Sequence, residues 1–273
     1  MLFRSQSQHD YLQQKYGGSV TVTAGAKVFG LQKAQKSQPG APAFARVTTS
    51  SGHGSGLQAL ANQWAADTGN TPMMYVNVAI AGQGITVWLD DGIPDDGSGE
   101  TWSSTFTAWT GYVTTMLAAV SGRWTAQLWL QGTSNVSGTT PAAYQGYMDQ
   151  LAAKFEAQIA SGSALPLQIV MPHPRSDDGV KTWGMRNGQY QKAISGGRWR
   201  LGGWLLDWLL EGDTNGSPHQ KDDPAGNPRG GTRIGRALAK NLFDSALDTG
   251  GPVVTSIAFA DAARSAINIS FRS

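Results

Sequence analysis

The 273-residue chain contains no cysteine. That excludes disulfide staples, thiolate metal sites and cysteine nucleophiles, and leaves the packed core alone to hold the fold together. Charge is also scarce. Asp, Glu, Lys and Arg make up 15% of the residues and the net charge is +2, so there is no basic field for nucleic acid or for an anionic membrane surface. No run approaches the ~18 apolar residues that a membrane span needs. The opening MLFRSQSQ lacks the apolar stretch of ~7–15 residues that marks a secretion signal. Only four histidines are present, so any histidine-dependent chemistry has few candidates.

What is present is a full complement of core residues, 40% hydrophobic, with 35 glycines and ten tryptophans. This composition suits one large, loop-rich α/β domain or two small ones. Most of the tryptophans belong in a core; an exposed one suits stacking on a sugar ring or an interface.

Four short apolar runs bounded by turn residues read as buried parallel strands: MLF (1–3), MMYVNVAI (73–80), AQLWLQG (126–132) and LPLQIVMP (165–172). Helical patterns separate them at 56–69, 105–122 and 141–162, the last opening on a proline. A final helix is expected in GGTRIGRALAKNLFDSAL (230–247). Strands alternating with helices predict a three-layer α/β/α sandwich around a parallel sheet, flavodoxin-like in plan. The expected division is a main domain over 1–250 and the start of a C-terminal β segment over 251–273, where VVTSIAFADAARSAINISF alternates like strands. The very short first run and this tail read as a fragment of a longer protein or one domain within it.

Ligands of open α/β sheets bind outside the carboxyl ends of the strands, so the residues after each strand carry the functional signal. After the first come RSQSQHD (4–10); a serine there either exposes its hydroxyl as a nucleophile or, as Ser5 or Ser7, merely caps the next helix. After the second comes AIAGQGITVW (79–88), where glycine lets backbone approach a ligand and donate its N–H. After the third comes LWLQGTSNV (128–136), where the amides of Gln131 and Asn135 could aim at one point.

Taken together these segments resemble the SGNH-hydrolase superfamily, and within it the sialate O-acetylesterase-like carbohydrate esterases. That branch carries G-Q-S-N, A-x-G-G-x-x-I-x-x-W and W-x-Q-G-E-S-D turns, then D-x-x-H before a glycine and a helix. Here SQSQ (5–8) matches the first turn, with Ser5 and Gln8 replacing its Gly and Asn. AIAGQGITVW matches the second, with Ile85 and Trp88 in register. WLQGTSN (129–135) matches the third, with Thr133 and Asn135 replacing its acidic pair. MRNGQYQKAI (185–194) and LGGWLLDWLLEGD (201–213) are similar to what precedes the last motif. The resemblance spans about residues 1–245. It implies Ser7 as nucleophile, and Gly82 with Gln131 as donors to the oxyanion alongside the N–H of Ser7. It further implies an esterase that removes acyl groups, chiefly O-acetyl, from a carbohydrate or polysaccharide, with no metal and no cofactor.

One residue breaks the pattern. DDPAGNPRGGTRIG aligns without a gap on D-x-x-H…G…R-I-G; Asp222 falls on the Asp, but Ala225 falls on the His. A serine needs a base, and the base a carboxylate to orient it. Three explanations compete. His219 serves instead, oriented by Asp222 or Asp213; or alanine has been put where the protein's own histidine stood; or the domain is an inactive binder. His9, His53 and His173 are poorer candidates.

Other signals are bland. DDGIPDDG (90–97) has oxygen ligands that suit Ca²⁺ but not an EF-hand spacing, TAGAKVFG (23–30) lacks the phosphate-loop ending, and RWRLGGW (198–204) reads as an interface before it reads as a contact for an acidic sugar. The expected partner is an acylated carbohydrate, and the expected setting extracellular, on a cell surface or in a virion, within a larger assembly. The alternative is an inactive carbohydrate-binding or structural module of a phage tail or cell-surface protein that keeps the SGNH fold.

Overall fold

A computed structural model describes residues 2–5, 20–31, 44–50, 54–77, 84–89, 125–131, 139–159, 167–171, 179–203, 226–247, 253–259 and 267–272. Seven strands form one sheet: β1 (Leu2–Ser5), β2 (Val28–Leu31), β3 (Phe44–Arg46), β4 (Met73–Asn77), β5 (Ala126–Leu130), β6 (Leu167–Val170) and β7 (Trp199–Leu201). Their order is β3-β2-β4-β1-β5-β6-β7. Every pairing is parallel except β2–β3. The expected α/β fold is therefore present, with one correction: the sheet is mixed, because β3 returns as an antiparallel edge strand.

Four helices are described: α1 (Ser55–Thr68), α2 (Pro141–Ile159), α3 (Gly179–Ile194) and α4 (Gly226–Leu242). The sheet separates two apolar layers. Val28, Tyr75, Ala126, Leu128, Leu130, Ile169 and Met171 cluster with Leu57, Leu60 and Trp64 of α1 and Ile234, Ala237 and Leu238 of α4. Trp129, between Leu128 and Leu130, faces the other way and meets Tyr144 of α2. This is the period of two that a strand imposes, and burial of both faces explains why β5 is apolar nearly throughout. The tryptophans whose side chains are described, Trp64, Trp129 and Trp199, are all buried, so none of them is a sugar-stacking platform.

The α1–α4 contact is made by glycines. A Cβ on Gly231 would collide with the carbonyl of Gly56, and one on Gly235 would sit 2.8 Å from Leu60 O. Both contacts climb the two helices in the same sense, so the helices run side by side and parallel. Helix α1 stops at Gly69, whose φ of 63° is left-handed and whose N–H donates to Ala65 O, a closure glycine makes without strain.

Several elements differ from expectation. β2, β3, β7 and α3 are absent from the pattern that the sequence predicts. β4 is described over Met73–Asn77, and positions 78–80 of the expected strand lie outside the described residues. α4 begins at Gly226 and ends at Leu242, after which Asp244 Oδ1 accepts from Ala246 N–H at 2.9 Å and closes a turn. The expected helix at 105–122 lies outside the described residues. The tail holds two strands, β8 (Val253–Phe259) and β9 (Ile267–Arg272), that pair antiparallel in a second sheet. No helix among the described residues is long and apolar enough to cross a membrane.

Candidate active site

The chain leaves β1 toward one side of the sheet, building β2, β3 and β4. It then crosses to the other side for β5, β6 and β7. Where connections diverge in this way, the carboxyl ends of the strands open a crevice. β1 lies at its centre, flanked by β4 and β5. The pairings Phe3↔Asn77 and Ser5↔Leu130 bring the three carboxyl ends to that one edge, on strands about 4.8 Å apart. The three segments singled out in the sequence leave from these three strands.

Gln131 is the predicted site residue whose surroundings are described. It follows Leu130 directly, is fully buried, and sits in a polar knot on the sheet face that Trp129 and the buried Gln127 share. Tyr144, on the first turn of α2, donates its hydroxyl proton to Gln131 Oε1 at 2.6 Å. The same hydroxyl accepts from Trp129 Nε1–H at 2.9 Å and from Gln189 Nε2–H at 3.2 Å. Gln189, from α3, also donates to the main-chain carbonyl of Gln131. A hydroxyl has one proton and two lone pairs, and Tyr144 uses all three. A proton delivered to one end of the Gln131 amide identifies that end as oxygen, so the nitrogen diverges from Tyr144.

Burial pushes the Tyr144 phenol well above its ordinary value of 10.0, although the bonds from Trp129 and Gln189 pull it back somewhat. The folded protein therefore holds the neutral phenol more strongly than the unfolded chain does. A group with a raised folded value contributes stability that is fully present below the unfolded value and lost as pH rises beyond it. Stability should accordingly fall above about pH 10 more steeply in the native protein than in Tyr144→Phe. Urea midpoints from about pH 8 to 11 check this; parallel curves for the two proteins would refute it.

The remaining candidates fall elsewhere. Ser5 is the last residue of β1, and so part of the sheet rather than a helix cap. Ser7, Gly82, Asn135, His219, Asp222, Asp213, Ala225, His9, His53, His173 and the aspartates of 90–97 lie outside the described residues. Ile85 and Trp88 of the second turn bracket a single 3₁₀ turn, Ile85–Trp88, with Ile85 buried. Arg198 pairs with buried Glu156 at 2.8 Å, and Arg200 donates to Trp199 O at 3.0 Å; these bonds serve the β7 neighbourhood, and Trp199 is core. Among the described residues no cluster of three or more His, Cys, Asp or Glu could hold a metal ion. Tyr144 and Gln189 were missed as contributors. A tyrosine at helical spacing reads as core, and only contact with Gln131 gives it another meaning.

Comparison with known proteins agrees with this architecture. A carbohydrate acetylesterase from Xanthomonas citri superposes with a TM-score of 0.61 at 15% identity, over 94% of this chain and 60% of that one. The chain thus spans about three fifths of that relative's length, and at this identity the likeness establishes the fold. No curated protein matches the sequence. The family described as carbohydrate esterase, sialic acid-specific acetylesterase, matches residues 21–195, a stretch that takes in Gly82 and Gln131 and leaves Ser7, His219 and Asp222 outside it. That match covers well over half of the 273 residues, and the chain belongs to this family of carbohydrate esterases.

Proposed function

We propose that the chain is a serine esterase that removes acyl groups, chiefly acetyl, from a carbohydrate. The observation that carries the reading is the convergence of β4, β1 and β5 at one sheet edge. Ser7 lies two residues beyond Ser5, so covalent reach keeps it within about 7 Å of the end of β1. Gln131 lies one residue beyond Leu130, the register partner of Ser5. Gly82 lies five residues beyond Asn77, the end of the strand on the other side. Ser7 attacks the ester carbonyl; the N–H groups of Ser7 and Gly82 and the Gln131 amide receive the oxyanion, each such donor contributing roughly 3 kcal/mol to lowering the barrier. The acyl-enzyme is then released by water.

The base is the open element. Ala225 adjoins Gly226, the first residue of α4. α1 is followed after four residues by β4, so its amino end lies toward the carboxyl edge of the sheet, and α4 runs parallel beside it. The start of α4 is then on the side of the sheet where the crevice opens, which supports reading the adjoining position 225 as part of the site. Ala225→His should therefore supply a base beside Asp222 and raise kcat/KM on p-nitrophenyl acetate by at least ~10²-fold, the low end of a positioned general base. No gain, together with loss of activity in His219→Ala, would assign the base to His219. No gain and no effect of His219→Ala would favour the second reading, which Ala225 itself suggests: a carbohydrate-binding module that keeps the fold without the chemistry.

A further inference from the structure

An oxyanion donor works by being in place before charge develops. A glutamine is poorly suited to this, since its three rotatable bonds let the amide swing and flip. Here the swing is suppressed from two directions. Tyr144 fixes the amide oxygen at 2.6 Å, and Gln189 holds the main-chain carbonyl of the same residue. Trp129, one pleat earlier on the same strand face, fixes the Tyr144 hydroxyl at 2.9 Å. All four residues are fully buried, so water does not compete for these bonds. α2 and α3 each contribute one of the holding groups, and Gln145 Nε2 of α2 donates to Gly188 O of α3 at 2.9 Å, tying the two helices at that level. Gly188 presses on Pro141, where an added Cβ would stand 3.1 Å from the Pro141 Cβ.

We propose that Tyr144 and Gln189 are positioning residues that hold the Gln131 amide with its nitrogen toward the oxyanion, so that a rigid β5–α2–α3 junction rather than the following loop sets this donor. The proposal rests on the oxyanion role of Gln131 given above. The hydroxyl of Tyr144 has no part in proton transfer: its proton is committed to Gln131, and burial holds the phenol neutral.

Two measurements separate the proposal from the reading beneath it. The first is the ¹⁵N side-chain amide signal of Gln131, located by its loss in Gln131→Ala. In the native protein it should be a single dispersed pair of resonances. In Tyr144→Phe it should shift and broaden as the amide gains alternative orientations. An unchanged signal overturns the proposal whatever the activity. The second is steady-state kinetics on p-nitrophenyl acetate. Gln131→Ala should lower kcat by ~10²-fold, and Tyr144→Phe by at least ~10-fold, both with KM nearly unchanged. In the Gln131→Ala background Tyr144→Phe should have no further effect on kcat, because nothing remains to be positioned. A kcat unaffected by Gln131→Ala sinks the oxyanion reading. A lowered kcat in Gln131→Ala with additive loss in the double variant keeps that reading and sinks the positioning role. Gln189→Met, which keeps the volume and removes both donors, gives the same comparison if Tyr144→Phe does not fold.

Discussion

In the Ala225→His background, where a base stands beside the serine, Ser7→Ala is expected to lower kcat/KM on p-nitrophenyl acetate by at least ~10³-fold while leaving the melting temperature unchanged. The chemical reason is that the proposed reaction has two halves joined by an acyl-serine, and alanine removes the atom that forms it. What remains is attack by water on an ester held by the oxyanion donors, and in serine hydrolases that residue of catalysis is a small fraction of the whole. The fold should not notice. β1 ends at Ser5, and its pairings with Asn77 and Leu130 are made by residues up to Ser5. A phosphonate probe supplies an independent check: it should label one site per chain in Ala225→His and none once Ser7→Ala is added. Undiminished labelling or activity in the variant would move the nucleophile to another residue and, with it, the proposed geometry.

The largest expected loss of stability comes from a single methyl group at Gly231. Its Cβ would overlap the carbonyl of Gly56, with Gly56 C at 2.7 Å and Cα at 3.0 Å. The obstacle is main chain on both sides, so no rotamer can yield; α1 and α4 have to part. Leu57 and Leu60 of α1 and Ile234 and Leu238 of α4 are fully buried in one shared core cluster, so parting the helices loosens all four. Overpacking usually costs about 1–3 kcal/mol, and a backbone obstacle belongs at or above the top of that range. Gly231→Ala should therefore lose at least about 3 kcal/mol by urea unfolding. Gly235→Ala, with Leu60 O at 2.8 Å and Gln63 Cβ at 3.0 Å, should lose less. Gly146→Ala is the control. It lies in α2 with nothing within 4 Å of the added atom, and should gain roughly 0.5–1 kcal/mol from helix propensity. Equal effects at Gly231 and Gly146 would mean that the two helices are not in backbone contact.

The difference between what could and could not be read from sequence follows burial. β1, β4 and β5 lie in or next to the middle of the sheet, and β6, one strand in from an edge, is buried over residues 168–170. β5, buried on both faces, shows as an apolar run, AQLWL, broken only by Gln127. β2, β3 and β7 lie at or next to the edges, are three or four residues long, and carry Gly30, Arg46 and Arg200 where a buried strand would carry aliphatics. They leave no period to detect. α3 was hidden for a different reason. Its sequence, GVKTWGMRNGQYQKAI, contains three glycines and two glutamines, because part of its inner face meets the end of β5 through Gln189 and meets α2 through Gly188 against Pro141. A helix that buries hydrogen bonds instead of methyl groups does not register as amphipathic. The candidate site was legible to the extent that it follows strands: Gln131 stands directly after the last residue of β5. Its holders, Tyr144 and Gln189, come from 13 and 58 residues away along the chain, a distance that no local pattern spans.

The polar knot also acts as a ruler. Apolar side chains are tolerant partners, and a helix lying on a greasy sheet can slide by one turn, about 5.4 Å, with modest loss of contact. Sliding α2 by that amount would carry the Tyr144 hydroxyl out of reach of Trp129 Nε1, Gln131 Oε1 and Gln189 Nε2 together. Each group stranded in a dry layer would cost roughly 1–3 kcal/mol, so the mis-registered arrangement is penalised several times over. The four side chains thus select a single setting of α2 along the sheet, and the folding chain has one way to dock this helix rather than several of similar energy.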